Sequence, residues 1–196
     1  APSSPTYGSD LTDTLGGTPW ASHYDYPQDS TLVFDNDADT YWIASYDEDP
    51  YPYTLRFDFE SNNTAVQRYT LSLPLAFGEK GGEDWTFEGS DNNGIDWTVL
   101  DTQTGISWTA GETKTFSFSN LNDYRYYRWV FTKGEHAVDL VVGEAQLLQY
   151  NEPYTHTLDV ADSSVAAAVI TMGVDESLSS TINFTASADG TIAAGI

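Results

Sequence analysis

The sequence predicts an all-β domain of the sandwich type. Residues 55–59 and 69–73 alternate apolar and polar side chains, a pattern that places one face of a strand on a core and the other in water. Clusters of Gly, Asn, Asp and Pro separate such segments, and no stretch has a helical periodicity of useful length. Six Trp, 13 Tyr and nine Phe supply ample core material, so the high charge does not indicate disorder.

The elements follow one another at short spacing along the chain. Residues 1–19 are rich in Ser, Thr, Gly and Pro and are expected to form a flexible lead-in arm. From residue 20 to residue 150 a single β-sandwich domain is expected. Its predicted strands include 55–59, 69–73, 85–87, 97–99, 116–118, the aromatic run 124–131 and the closing series 140–150.

The last segment, residues 151–196, has a different composition and predicts a strand-rich extension. It contains no Lys, Arg or Trp and many Ala, Ser, Thr and Val residues. Residues 181–185 alternate like a strand, and residues 163–172 fit either a strand or a short helix. So few aromatic residues make a poor independent core. We therefore expect this extension to pack on the main domain or on a neighbouring subunit.

The charge balance excludes several classes of function. The chain carries seven basic and 30 acidic residues, a net charge of −23 and a pI near 4.1. Nucleic-acid binding depends on clustered Lys and Arg, and anionic membranes attract basic segments, so neither partner is expected. No apolar run approaches the length of about 18 residues needed to span a bilayer. Cations and neutral glycans suit this surface better.

Residues 35–40 form an acidic loop whose chemistry favours calcium. Asp35, Asp37 and Asp39 alternate with Asn and Ala and are followed by Thr40. Calcium takes six to eight oxygen ligands from carboxylates, carbonyls and hydroxyls, and a tight loop of this composition offers several together. An EF-hand is excluded, because its sixth position should be Gly and its twelfth Glu, whereas this chain has Thr40 and Tyr46.

Four stretches between residues 21 and 150 resemble the discoidin superfamily, which includes coagulation-factor C-type domains and galactose-binding-like carbohydrate-binding modules. They occur in the expected order: Phe-Asp-Asn-Asp-Ala-Asp-Thr-Tyr-Trp at 34–42, Leu-Arg-Phe-Asp-Phe at 55–59, Trp-Thr-Phe-Glu-Gly-Ser-Asp at 85–91 with Gly94 and Trp97, and Tyr-Arg-Tyr-Tyr-Arg at 124–128 with Gly143 and Glu144. Glu60 departs from the family pattern, which has Gly after the second stretch.

The resemblance implies an eight-stranded jelly-roll sandwich that is non-catalytic and presents binding loops at one end. It also implies a structural calcium ion, with ligands from the Leu32 carbonyl, Asp35, Asp37, Thr40 and Glu144. Asp39 is a lower-ranked candidate: it either binds the calcium ion or only supports the residues that do. The alternative, that the acidic loop is only a solvated turn, stays open at this point.

Three loops are the candidate rim of a sugar site: residues 45–53, 77–84 and 133–139. Aromatic rings pack on the C–H face of sugars, and polar side chains take the hydroxyls. The candidate ligand-binding residues are Tyr46, Asp47, Glu48, Tyr51, Lys80 and His136. His23 is a further candidate, whereas Arg125 and Arg128 lie within a predicted strand and are expected to be structural.

Seven of the aromatic residues divide into two groups by their position in the sequence. Those within the matched motifs, Trp42, Trp85 and Trp97, are expected in the core. Four aromatic residues in turns or at segment edges are expected to be more exposed: Trp20, Tyr24, Tyr26 and Trp108.

No catalytic motif accompanies these features. The chain lacks a Gly-x-Ser-x-Gly elbow, a His-Glu-x-x-His helix and a Gly-rich phosphate loop, and nothing selects a glycosidase pair from 30 carboxylates. The sequence therefore predicts a non-enzymatic, calcium-stabilised glycan-binding module for adhesion, secreted or displayed on a surface. The alternative is a structural assembly subunit of a virion or surface filament, with residues 151–196 pairing along a neighbouring sheet edge.

Overall fold

Antiparallel strands dominate the computed structural model, which describes residues 6–45, 51–92 and 94–151 and two strands near the C terminus. The chain divides into two units, Ala1–Glu152 and Pro153–Ile196. A five-residue α-helix, α1 (Leu11–Leu15), and a 3-10 helix (Ser30–Val33) accompany the strands. Among the residues described, no helix has the length and apolarity needed to cross a membrane.

The strands of the structure are β1 (Thr6–Tyr7), β2 (Thr18–Ala21), β3 (Trp42–Ser45), β4 (Tyr53–Asp58), β5 (Arg68–Ser72), β6 (Gly82–Ser90), β7 (Thr98–Gln103), β8 (Thr113–Ser117), β9 (Tyr126–Gly134), β10 (Asp139–Val142), β11 (Ala145–Leu148), β12 (Tyr150–Asn151), β13 (Asn183–Ala186) and β14 (Ile192–Gly195). The predicted alternating segments overlap strands β4 to β13, whereas β1, β2, β3 and β14 are not among the predicted segments. Buried and part-exposed residues alternate strictly along β4 and β5.

Two sheets form the sandwich. One has five strands in the order β2-β4-β9-β6-β7, and the other has three in the order β11-β5-β8. Every strand pair in both sheets is antiparallel. A separate antiparallel pair joins β3 to β10. The eight strands of the two sheets confirm the predicted eight-stranded sandwich.

Aromatic rings fill the space between the sheets. The Tyr69 ring, from the three-stranded sheet, lies 4.6 Å from Phe87 and 5.7 Å from Trp129 of the five-stranded sheet. Trp42 and Trp85 are fully buried, as predicted, and Trp97 is half-buried. Such ring pairs contribute about 0.5–1.5 kcal/mol each beyond the area they bury.

The prediction that Trp108 is exposed is wrong. Only 8% of its surface is accessible. Its indole packs on Gly81, where a Cβ atom would overlap the ring, and its Nε1 donates a hydrogen bond to the Gly82 carbonyl at 2.7 Å. The loop position of Trp108 indicated exposure, but the space left by a distant glycine decides its burial.

The described part of the predicted N-terminal arm, from residue 6 onward, contributes a helix and two strands to the fold. Strand β1 pairs with β12, and β2 is an edge strand of the five-stranded sheet. Asp10 lies between them and caps α1. Its Oδ1 accepts hydrogen bonds from the backbone N–H of Thr12 at 3.0 Å and of Leu147 at 3.1 Å. These backbone pairings could not be predicted from the sequence, because the segment is polar and shows no alternation of apolar and polar residues.

Replacing Asp10 is expected to separate its hydrogen-bonding role from its charge. Asp10→Ala removes a helix cap and leaves the buried Leu147 N–H unpaired, which should cost about 2–3 kcal/mol of unfolding free energy. Asp10→Asn keeps the acceptor. Burial raises the pKa of Asp10, so the ionised parent loses stability as the pH rises through the shifted range.

Urea unfolding at several pH values checks this expectation. The free-energy advantage of Asp10→Asn over the parent should be smallest below the ordinary pKa of a carboxyl group and should grow as the pH rises through the raised pKa of Asp10. If Asp10→Ala and Asp10→Asn were equally stable at every pH, the carboxylate would have no structural role.

Glu60, the departure from the family pattern, occupies a left-handed backbone conformation with φ of 59°. Its N–H donates to Asp58 Oδ1 at 2.7 Å, and its own carboxylate accepts from the Thr18 hydroxyl at 2.7 Å. A glycine would adopt this conformation without steric cost. The two hydrogen bonds offset part of the cost for Glu60.

The C-terminal unit contains the antiparallel pair β13 and β14, in which Asn183 lies opposite Gly195. The part of the predicted strand 181–185 that is described lies in β13. The segment 163–172 lies outside the described residues. The packing of this extension on the domain or on another subunit stays a prediction.

Candidate functional site

Loops from several strands meet at one end of the five-stranded sheet. The registers place Ala21 opposite Leu55, Tyr53 opposite Phe131, and Gly82 opposite Gly134. Strands β2 and β9 therefore end where β4 and β6 begin. We call this end, with the loops at 22–28, 51–52, 73–81 and 135–138, the loop end.

A polar cluster lies at the loop end. Lys80 Nζ is 2.6 Å from Asp139 Oδ2, and His136 Nδ1 is 3.4 Å from the same oxygen. Partial burial alone would raise the pKa of Asp139, but the hydrogen bond and charge of Lys80 outweigh it and lower the pKa. Asp139 is therefore an ionised acceptor, while 45% of the His136 side chain remains accessible. The cluster offers both donors and an acceptor to a ligand.

Two tyrosines hold the loop at 135–138 in place. The Tyr51 hydroxyl donates to the His136 carbonyl at 3.2 Å, and the Tyr53 hydroxyl donates to the Val138 carbonyl at 2.8 Å. Gly134 allows this approach, because a Cβ atom there would overlap the Tyr51 oxygen. Burial raises the pKa of Tyr51, so its hydroxyl stays protonated and continues to donate. Rigid loops lose less entropy on binding a ligand.

The loop at 22–28, which belongs to the same end, carries exposed aromatic side chains. The His23 ring packs on Tyr53 at 5.3 Å, and the turn that follows presents Tyr24 and Tyr26. These two tyrosines are 56% and 84% exposed. Trp20, at 46%, is also exposed, as predicted. Tyr24 and Tyr26 are not among the predicted ligand-binding residues, although their position in a turn predicted their exposure.

The predicted ligand-binding residues fall into two groups. Tyr51, Lys80 and His136 come together at the loop end around Asp139. Tyr46, Asp47 and Glu48 lie outside the described residues. Of the two strand arginines, Arg125 pairs with Asp58 at 2.7 Å and Arg128 with Glu88 at 2.6 Å. Both form ion pairs within the five-stranded sheet.

The acidic loop gathers oxygen atoms around one hydroxyl. Thr40 Oγ1 lies 3.2 Å from the Leu32 carbonyl, 2.9 Å from Asp35 Oδ1, 3.0 Å from Asp35 Oδ2 and 2.9 Å from the Asp37 carbonyl. A hydroxyl has one proton, so it satisfies only one of these four acceptors at a time. The Asp37 carboxylate turns away and accepts from the Asp39 N–H at 3.0 Å.

Glu144, remote in sequence, meets this loop in space. The Asn36 N–H donates to its carboxylate, while Oε2 is buried without a hydrogen-bond partner. Burial, followed by the negative charges of Asp35, Asp10 and Asp13, raises the pKa of Glu144 to about 8. Ser72 aligns the backbone here, since its hydroxyl accepts from the Glu144 N–H at 2.7 Å.

The donor set fits calcium better than a metal that needs nitrogen or several carboxylates. Within residues 6–45, 51–92 and 94–151, no three side chains of His, Asp or Glu gather closely enough to hold a metal. Calcium, however, accepts backbone carbonyls and hydroxyls. The loop offers oxygens of Leu32, Asp35, Asp37 and Thr40, and the orphaned Glu144 Oε2 supplies a further one.

Comparison with known proteins relates the fold to carbohydrate-binding modules. No protein-family model and no curated protein matches the sequence. Among solved structures, the family 32 carbohydrate-binding module of Clostridium perfringens NanJ, in complex with galactose, has a TM-score of 0.59 at 15% identity. The match covers 74% of this chain and 100% of that one.

Two further structures are similar. An F5/8 type C domain from Bacteroides fragilis has a TM-score of 0.62 at 9% identity and covers 77% of this chain and 100% of its own. Chitosan-binding module 1 of a Paenibacillus sp. IK-5 chitosanase/glucanase has a TM-score of 0.57 at 20% identity and covers 71% and 98%. The chain therefore has the same fold as these carbohydrate-binding modules and the F5/8 type C domain, which is the fold that the sequence resemblance implied.

Proposed function

We propose that this chain is a non-catalytic, calcium-stabilised module that binds a neutral, galactose-like glycan outside the cell and serves adhesion. The observation that carries the proposal is the cluster of Lys80, His136 and Asp139 at the loop end, to which the loop at 22–28 with its two exposed tyrosines also belongs. A module of this fold in NanJ was solved with galactose, which supports the same class of ligand here.

The chemistry of the cluster suits a sugar. The rings of Tyr24 and Tyr26 offer flat apolar faces to the C–H side of a pyranose. Lys80 and the accessible edge of His136 donate hydrogen bonds to hydroxyl groups, and ionised Asp139 accepts them. The two tyrosine hydroxyls that hold the loop reduce the ordering cost of binding. The cluster needs no bond-breaking step for this role.

Calcium has a structural role in the proposal. Leu32, Asp35, Asp37, Thr40 and Glu144 would hold the ion, which supplies positive charge among carboxylates that otherwise repel one another. The loop before β3 and the turn before β11 would then be joined across the sandwich. An ion that binds only the folded chain stabilises that state.

Glycan binding is tested by calorimetry with neutral galactosides and a panel of other neutral oligosaccharides. His136→Ala should weaken binding about 10–100-fold, because it removes a ligand hydrogen bond. The His136 side chain is about half exposed and makes one hydrogen bond, with the Asp139 N–H, so the variant should still fold. Leu121→Ala is the matched control. Leu121 is 91% exposed and precedes β9, so it lies at the opposite end of that strand.

The binding of the three chains decides for or against the proposal. The proposal is supported if the parent and Leu121→Ala bind a galactoside and His136→Ala does not. Equal binding by all three chains, or no binding of any glycan by the parent, contradicts it. Release of a sugar product from the ligands would overturn the non-catalytic assignment.

A further inference from the structure

A groove of about 400 Å³ crosses the outer face of the three-stranded sheet, away from the polar cluster. Its floor consists of outward-facing side chains from all three strands, among them Thr70 of β5, Thr113 of β8 and Gln146 of β11. One wall is Leu75, and the opposite wall is the acidic loop at Asn36 and Asp39. None of Lys80, His136 and Asp139 lines this groove.

The floor is made of neutral groups that both donate and accept hydrogen bonds. Thr70 Oγ1 donates to Gln146 Oε1 at 3.3 Å, which leaves the amide nitrogen of Gln146 without a partner in the described part of the chain. Thr113 is exposed on the same face. Hydroxyl and amide groups of this kind match the hydroxyls of a polyol, which likewise donate and accept.

The walls of the groove narrow the chemical class of ligand that it can bind. Leu75 is 80% exposed and stands beside Pro74, so an apolar surface faces the polar floor. The lining includes Asp39 and Glu144 but no Lys or Arg, an electrostatic setting that repels phosphates, sulfates and uronic acids. An apolar wall with a few polar groups, in a volume above about 300 Å³, is typical of small-ligand sites.

We propose that this groove is a second carbohydrate-binding site that takes a neutral, hydroxyl-rich oligosaccharide. The polar floor binds hydroxyl groups, and Leu75 packs against the C–H face of a sugar ring. Because the acidic loop forms one wall, the groove keeps its shape only while that loop is ordered. This inference rests on the calcium role proposed above, so binding in the groove is calcium-dependent. One chain then holds two sugars on different faces.

Two exposed threonines on edge strands provide a matched test. Thr113→Arg places a long cation in the groove, whereas Thr98→Arg places the same side chain on β7, the edge strand of the other sheet and outside the groove lining. Both positions are exposed, so both variants should melt within about 2 °C of each other. The probes are neutral tetrasaccharides of galactose, xylose, glucose and N-acetylglucosamine, measured by calorimetry in calcium.

The expected result is at least one neutral tetrasaccharide that Thr98→Arg binds like the parent and Thr113→Arg binds at least tenfold more weakly. His136→Ala should retain this binding, so failure of the loop-end site and failure of the groove are distinguishable. EDTA should abolish binding in the groove. Identical titrations for the two arginine variants would overturn the proposal, as would failure of the parent to bind any of the four tetrasaccharides.

Discussion

Calcium added to the metal-free protein is expected to raise its melting temperature by about 8–16 °C, and Asp35→Ala should abolish this response. At a thousandfold excess over Kd, an ion that binds only the folded state contributes about 4 kcal/mol. The large effect is expected because of the oxygen atoms in and around the acidic loop. Four acceptor oxygens crowd the Thr40 hydroxyl, and Glu144 Oε2 is buried without a partner.

Asp37→Asn is the matched control for this experiment. The carbonyl of residue 37, not its carboxylate, faces Thr40, so the amide variant should keep most of the calcium response. Differential scanning fluorimetry with calcium, magnesium and EDTA measures all three chains. A parent protein that melts at the same temperature with and without calcium would show that the acidic loop is a solvated turn.

Tyr69→Phe is expected to cost about 2–4 kcal/mol of unfolding free energy, because one hydroxyl joins the two sheets. The buried Trp85 Nε1 donates to the Tyr69 oxygen at 2.8 Å, and this hydroxyl donates to Asp101 Oδ2 at 2.8 Å. Burial, with the charge of Asp101, raises the pKa of Tyr69, so the hydroxyl remains a donor. Phenylalanine fills the same space but leaves the indole N–H unpaired.

Urea unfolding measures this cost. Asp101→Asn, which keeps an acceptor oxygen for the tyrosine, should lose less stability than Tyr69→Phe. A difference below about 0.5 kcal/mol between Tyr69→Phe and the parent would mean that a water or a rearranged side chain replaces the hydroxyl.

The strands and the sandwich were accessible to sequence reasoning because both depend on a local period of two. Residues 55–59 and 69–73 alternate, and the structure places them in β4 and β5 with every second side chain buried. The residues assigned to the acidic loop and Glu144 also met as expected, because the motif resemblance carried the pairing of remote segments. Composition alone would not have joined them.

Other features required contacts between residues far apart in sequence. Asp10 lies in a polar segment without periodicity, yet its carboxylate accepts from Leu147, 137 positions away. Trp108 lies in a loop, but the missing side chain of Gly81 makes room for it. The groove on the three-stranded sheet involves three strands that are not consecutive. None of these pairings leaves a local pattern.

The sequence by itself determined the all-β class, the alternation of its strands and the oxygen-rich chemistry of the acidic loop, because residue type and spacing are enough to specify them. Only the tertiary structure decided which side chains share a site. Closure of the sandwich brings Asp10 to Leu147, aligns Lys80 with Asp139, and exposes the outer face of β5, β8 and β11. Each of these depends on strand order and register, which short-range propensities do not encode.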